Sequence, residues 1–132
     1  HYKALDAATP LPIIMYNVPG RTGMNVTADT QLRIAHECKS IFATKEASGN
    51  FDQINQILKY KPADFMVISG DDPITLPMIA LGAEGVISVV ANAYPFEFSE
   101  MVRLCLKGDY DKAKLLHFKY TDIIASMFPI SS

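Results

Sequence analysis

The chain has 132 residues, 49% of them hydrophobic, with 12 Lys and Arg against 14 Asp and Glu and a formal net charge of −2. That length and apolar content suffice for one domain with a buried core. The charge balance leaves no electrostatic footprint for nucleic acid or an anionic membrane, so neither is expected as a partner. Apolar runs break well short of the roughly 20 residues a membrane-spanning helix needs. The opening residues do not follow the signal-peptide pattern, and Cys38 and Cys105 lack CxxC spacing. Two packed free thiols in a cytoplasmic protein are expected, with no disulfide and no zinc site.

In chain order, "HYKALDAATP" reads as the tail of a helix running into a loop. "PIIMYNV" (12–18) is a short apolar run rich in β-branched and aromatic residues, followed by the turn "PGRTG". A helix is predicted over 27–38, with Thr27 as N-cap and Leu32, Ile34 and Ala35 on its buried stripe. "SIFAT" (40–44) is the second strand. Phe51, Ile54, Ile57 and Leu58 then recur at helical spacing over 50–60, and Pro62 ends that helix. "DFMVISG" (64–70) is the third strand, and Pro73 and Gly82 bracket a short helix over 73–82. "EGVISVV" (84–90) is the fourth strand. Two helices follow, about 95–107 and 109–127. The second has Asp109 as cap and Ala113, Leu116, Tyr120, Ile123, Ile124 and Met127 along one side. Strands apolar on both faces, each followed by a helix, imply parallel βα units: a doubly wound sheet or part of a (β/α)8 barrel. GxGxxG and GxxxxGK[ST] are both missing, which weakens a cofactor-binding doubly wound reading.

Chemistry collects at the carboxyl ends of these strands, the edge where parallel α/β folds build their sites. The first ends in Tyr16–Asn17 before Arg21, the second in Thr44–Lys45–Glu46, the third in Ser69–Gly70–Asp71–Asp72, and the fourth near Ser88. Lys45 has two readings. Facing into a barrel mouth it loses water, which disfavours the ammonium form, and a neutral amine can attack a carbonyl carbon to form an imine. Alternatively it leaves the strand as an ion pair with Glu46 or Asp71. Tyr16 is either a core tyrosine with its hydroxyl satisfied at the rim or a phenol that moves protons. Arg21 could hold a carboxylate in its planar fork, or cap carbonyls or pair with Asp71 or Asp72. Those two aspartates are expected to cap the helix beginning at Pro73, and they offer too few oxygens for a metal. His1, His36 and His117 fall away from the strand ends and are read as surface or packing residues.

"YNVPGRTG" (16–23), "KEASGN" (45–50), "SGDD" (69–72) and "GVISV" (85–89) together resemble, in order and spacing, the dihydrodipicolinate synthase family. That family lies in the pyruvate-dependent class I aldolase superfamily, which also holds N-acetylneuraminate lyase. The resemblance covers essentially the whole chain. It implies a (β/α)8 TIM barrel of which 1–108 are strands five to eight, with 109–132 the start of a C-terminal helical extension. It implies Lys45 as the Schiff-base lysine and Tyr16 as the proton-relay tyrosine. Arg21 becomes the residue that recognises the aldehyde's carboxylate, Ile87 a backbone contact to bound pyruvate, and Gly70 a point of close backbone approach. The implied reaction condenses pyruvate with L-aspartate 4-semialdehyde in the diaminopimelate route to lysine, without cofactor or metal, in a homo-oligomer of dimers paired into tetramers. The arginine of "GRTG" favours the synthase over N-acetylneuraminate lyase.

The family's hydroxyl-bearing loop after its second strand, the tyrosine given by a neighbouring subunit and the lysine-inhibition region are missing from these residues. The chain is therefore expected to be a piece of a longer protein, and by itself inactive and poorly soluble, with two bare sheet edges. Two alternatives remain: another pyruvate-dependent aldolase acting on keto-deoxy sugars or N-acetylneuraminate, and a catalytically silent half-barrel used for assembly.

Overall fold

Short β-branched runs punctuated by Gly and Pro leave each strand to be covered by the amphipathic segment that follows it. The computed structural model describes residues 1–127 and has that arrangement. Helix α1 (Tyr2–Ala8) leads into β1 (Ile13–Asn17). A single turn, α2 (Pro19–Thr22), and α3 (Ala28–Glu37) connect to β2 (Ile41–Glu46), and α4 (Phe51–Tyr60) connects to β3 (Met66–Ser69). A 3-10 turn (Asp72–Ile74) runs into α5 (Thr75–Ala80), then β4 (Gly85–Val86), a second 3-10 turn (Val90–Asn92), α6 (Pro95–Leu106) and α7 (Tyr110–Met127).

All strand pairs are parallel, and their spatial order, β1-β2-β3-β4, is their order along the chain. A doubly wound sheet reverses that order at a switch point. This sheet does not, which selects the barrel-type winding of the two expected from the sequence. Two rows cross the sheet near its carboxyl edge: Tyr16–Lys45–Ile68–Gly85 and, one residue on, Asn17–Glu46–Ser69–Val86. Side chains alternate between faces. The first row faces away from the helices, where Ile14, Tyr16, Ile87 and Val89 are exposed, and the second row is turned toward them. Pairing between β1 and β2 slips by one residue at its start: Ile13 lies beside Ile41 but Ile14 beside Ala43.

The larger core cluster joins Ile54 and Ile57 of α4, Val67 of β3, Met78 of α5, Phe98 and Met101 of α6, and Ala113, Tyr120 and Ile124 of α7. Each such large side chain contributes about 1.5–3 kcal/mol on burial. Because α7 shares this cluster, it is packed onto the βα units. The smaller cluster holds Met15, Ile34, Cys38, Ile41 and Phe65 between β1, β2 and α3. The helical stripe foreseen in α7 is present, and Asp109 accepts from the N–H of Lys112 at 3.3 Å and so caps it. Residues 128–132, the end of the extension expected over 109–132, lie outside the described residues.

Several expectations are corrected. The second strand does not stop at Thr44 but runs to Glu46, because the parallel ladder with β1 continues through Lys45 and Glu46. The fourth strand is only Gly85–Val86: the carboxylate of Asp72 accepts from the N–H groups of Val89 and Val90, both at 2.9 Å, and draws them into a 3-10 turn. Asp72 thus caps that turn across the sheet edge rather than its own helix, and Asp71 makes no side-chain cap. Thr27 does occupy the N-cap position of α3, but without a side-chain cap; the buried residues of that helix are Ala28, Gln31 and Ile34, with Leu32 and Ala35 half-buried. The strands are not apolar on both faces, since Asn17, Thr44, Glu46 and Ser69 are buried toward the helices.

Candidate active site

Parallel pairing makes Tyr16 and Lys45 direct neighbours on the helix-free face. Lys45 Nζ stands 3.9 Å from the centroid of the Tyr16 ring, a cation–π contact. The ammonium meets the ring face. Lys45 forms no ion pair with Glu46 or Asp71 among the described residues. Glu46 leaves the opposite face of the strand, so the ion-pair alternative with it is excluded by the pleat. Tyr16 is 46% exposed on this face of the chain.

Behind Lys45 the backbone of the next strand comes close. A Cβ built on Gly70 would lie 3.0 Å from both Cγ and Cε of Lys45 and 2.8 Å from Cβ of Ala47. Glycine is needed here to leave a slot for the lysine stem. Three hydrogen bonds carry the ladder one step past the strand ends: Ala47 N–H to the Asn17 carbonyl, Gly70 N–H to the Glu46 carbonyl and Ile87 N–H to the Ser69 carbonyl, each 2.9 Å. They hold Gly70 and Ile87 at the same edge as Lys45. Ile87 lies two strands away from it and is 44% exposed.

Arg21 sits on the one-turn helix α2, closed by Gly23 at φ 68°, and is exposed. It makes no ion pair with Asp71 or Asp72 among the described residues, so its guanidinium is not engaged as the alternative reading expected. Asp71 is half-buried at the same edge, and burial, with the neighbouring Asp72 carboxylate adding to it, raises its pKa above the ordinary value. A cleft of about 400 Å³ lies at the opposite, amino edge, where Ile41 and Phe65 begin or precede their strands; it is away from Lys45. His117, read as a packing residue, is half-buried on α7, and burial lowers its pKa.

The sequence reading missed a polar cluster under the site. Glu46 is fully buried, and its carboxylate accepts from Asn17 Nδ2 (3.1 and 3.0 Å), Gln31 Nε2 (2.6 Å), Gln53 Nε2 (3.3 Å) and the N–H of Ser48 (2.8 Å). The signal was present in the pattern: Thr44 and Glu46 fall on one face of a strand, and Gln31 and Gln53 stand at inward positions of their helices.

Residues 1–131 match the model of the dihydrodipicolinate synthetase family. The chain is 59% identical over 128 residues to a 4-hydroxy-tetrahydrodipicolinate synthase of Parabacteroides distasonis, an alignment covering 97% of this chain and 43% of that protein. It is 42% identical to the crystal structure of dihydrodipicolinate synthase from Aquifex aeolicus, with a TM-score of 0.95 over 100% of this chain and 45% of that one. A dihydrodipicolinate synthase from Acinetobacter baumannii solved in complex with pyruvate is similar too, at 37% identity and a TM-score of 0.93, covering 100% and 45%. The chain thus spans less than half the length of each of these relatives. Matched over residues 1–131 by the family model and over 97% of its length by a relative 59% identical to it, the chain belongs to the dihydrodipicolinate synthetase family.

Proposed function

We propose that this chain carries the imine-forming lysine of a synthase that condenses pyruvate with L-aspartate 4-semialdehyde. The observation that carries the reading is Lys45 Nζ over the Tyr16 ring on the uncovered face of the sheet, with no carboxylate partner among the described residues. In that reading the Lys45 amine adds to the ketone carbon of pyruvate, and the carbinolamine loses water to give an imine. The protonated imine draws electrons from the methyl group, which loses a proton to form the enamine. The enamine carbon then attacks the aldehyde carbon, whose oxygen takes a proton. Attack by the substrate's own amino group on the imine carbon closes the ring and expels the Lys45 amine. Tyr16 moves protons for these steps, and Arg21 holds the aldehyde's carboxylate from the exposed α2 turn. The iminium is itself the electron sink, so no cofactor or metal enters.

Within a whole subunit these residues would be strands five to eight of the barrel, with 109–132 beginning the helical extension. Two consecutive helices after β4, with no strand between α6 and α7, support that placement. The remaining strands would cover the face where Ile14, Tyr16 and Ile87 are exposed. The synthase named for the Parabacteroides relative and the pyruvate in the Acinetobacter complex favour these substrates over sugar acids. The test is borohydride reduction of a full-length subunit carrying this sequence, in the presence of pyruvate, followed by peptide mass mapping. A reduced pyruvate adduct on Lys45, lost in Lys45→Ala, is expected. Trapping elsewhere, or none, would sink the reading.

A further inference from the structure

Among the described residues, the segment bearing Arg21 is held by very little. Within residues 18–24 every hydrogen bond among the described residues is local: Arg21 and Thr22 N–H to the Val18 carbonyl, Gly23 N–H to that of Pro19, the Thr22 hydroxyl to those of Val18 and Met24, and Met24 N–H to the Thr22 hydroxyl. Met24 is 74% exposed, so side-chain packing adds little there. The non-local tethers stand at the two ends. Asn17 precedes the segment, and its Oδ1 accepts from the N–H of Val26 at 2.9 Å while its Nδ2 donates to Asn25 Oδ1 at 2.9 Å. At the far end Asn25 Nδ2 donates to Gln53 Oε1 at 2.8 Å, and the Val26 carbonyl accepts from Gln31 and Gln53.

The three amides that make these tethers, Asn17, Gln31 and Gln53, all point their NH2 groups at Glu46. A carboxylate is an acceptor only, with room for about four donors. Once Glu46 takes the NH2 of each amide, each amide oxygen is forced outward. The oxygen of Asn17 then receives Val26, that of Gln53 receives Asn25, and that of Gln31 receives the Thr44 hydroxyl at 2.8 Å. Glu46 meets no cation among the described residues, so its charge is spent on orienting neutral donors. Lys45, by contrast, is fixed on the other face by the strand ladder, the Tyr16 ring and the Gly70 slot.

The geometry points to Glu46 as a positioning residue for Arg21: its buried carboxylate sets the amide orientations that pin both ends of the 17–26 segment, and so controls binding of the carboxylate-bearing aldehyde rather than imine formation. This inference rests on the roles of Lys45 and Arg21 given above. Its test is made on a full-length subunit carrying Glu46→Gln, which keeps the size of the side chain but turns an NH2 toward the converging donors. Backbone amide exchange across 20–25 should speed up, and the KM for L-aspartate 4-semialdehyde should rise roughly 10- to 100-fold, as a displacement of about 1 Å produces. Borohydride trapping of pyruvate at Lys45 should stay within about threefold of the parent. Asn25→Ala, which leaves Glu46 its own donors, should shift the same two readouts in the same direction and serves alone if Glu46→Gln does not fold. Unchanged exchange across 20–25, or equal loss of pyruvate trapping and aldehyde binding, overturns the inference. A parent subunit with no trapping at Lys45 overturns the catalytic reading instead, while the exchange result still reports on the tether.

Discussion

Gly70→Ala is the sharpest probe of the lysine slot. The new Cβ would stand 2.8 Å from Ala47 Cβ, about 0.6 Å inside ordinary contact, and 3.0 Å from Lys45 Cγ and Cε. Ala47 Cβ is attached to backbone that the Ala47 N–H bond ties to Asn17, so it yields little, and the lysine stem is left to move. Gly70 has no positive φ, and alanine therefore meets no backbone penalty. Stiffening the unfolded chain even favours alanine by about 0.4–1 kcal/mol. Against that, overpacking costs about 1–3 kcal/mol, for a net loss of order 1 kcal/mol and a few degrees in melting temperature. Displacing the amine by up to about 1 Å should slow imine formation by one to two orders of magnitude. Rates of borohydride-trapped adduct at Lys45, measured on a full-length subunit beside its melting temperature, test both. Gly20→Ala, with nothing within 4 Å and no positive φ, is the control and should be neutral or slightly stabilising. Parental trapping rate together with parental melting in Gly70→Ala would refute the slot.

Asp71 binds a proton more readily when folded than when unfolded, so its contribution to stability falls as pH rises through the interval above its ordinary value of 3.8. Asp71→Asn should therefore raise the melting temperature at neutral pH and make no difference at pH values below that interval; equal gains at both would contradict it. Asp72→Ala removes the acceptor for two N–H groups, and at about 1–3 kcal/mol per orphaned donor it should destabilise the chain more than Asp71→Ala in parallel denaturant titrations. Cys38 and Cys105 are buried, and burial raises both thiol pKa values. A thiol reagent should label them far more slowly in folded than in denatured protein, and equal rates would refute that packing.

The alternation of apolar runs with helical patterns sufficed to place every strand, because burial of both partners depends on local periodicity. The row in which the proposed site lies was legible for a related reason: Tyr16 and Lys45 interrupt apolar runs where nothing in packing calls for them. What escaped was whatever depends on a partner remote in sequence. Asp72 binding Val89 and Val90 spans the whole of α5, and it decides where the fourth strand stops. Glu46 reads in isolation as a charge beside Lys45, and only the pleat reveals that it serves Asn17, Gln31 and Gln53 on the other side. Polar residues at inward helix positions were the available clue, but single polar residues among apolar ones do not say which of them converge.

The slip at the start of β1 and β2 has a reach beyond its own turn. Were pairing to continue from Ile13–Ile41 without the slip, with Phe42 taking Ile14 as its partner, Tyr16 would align with Thr44 and Lys45 with Asn17. Neighbours across a sheet share a face, so the amine would be driven in among the helices and the Glu46 carboxylate out toward the open side. One surplus residue at the bottom of the sheet thus works as a phase setter for its top. It decides which of two adjacent charges faces the open side of the sheet and which faces the helices. Deleting Phe42 should accordingly keep Tyr16 beside Lys45 in a now unbroken ladder, and a loss of that pairing would contradict this account.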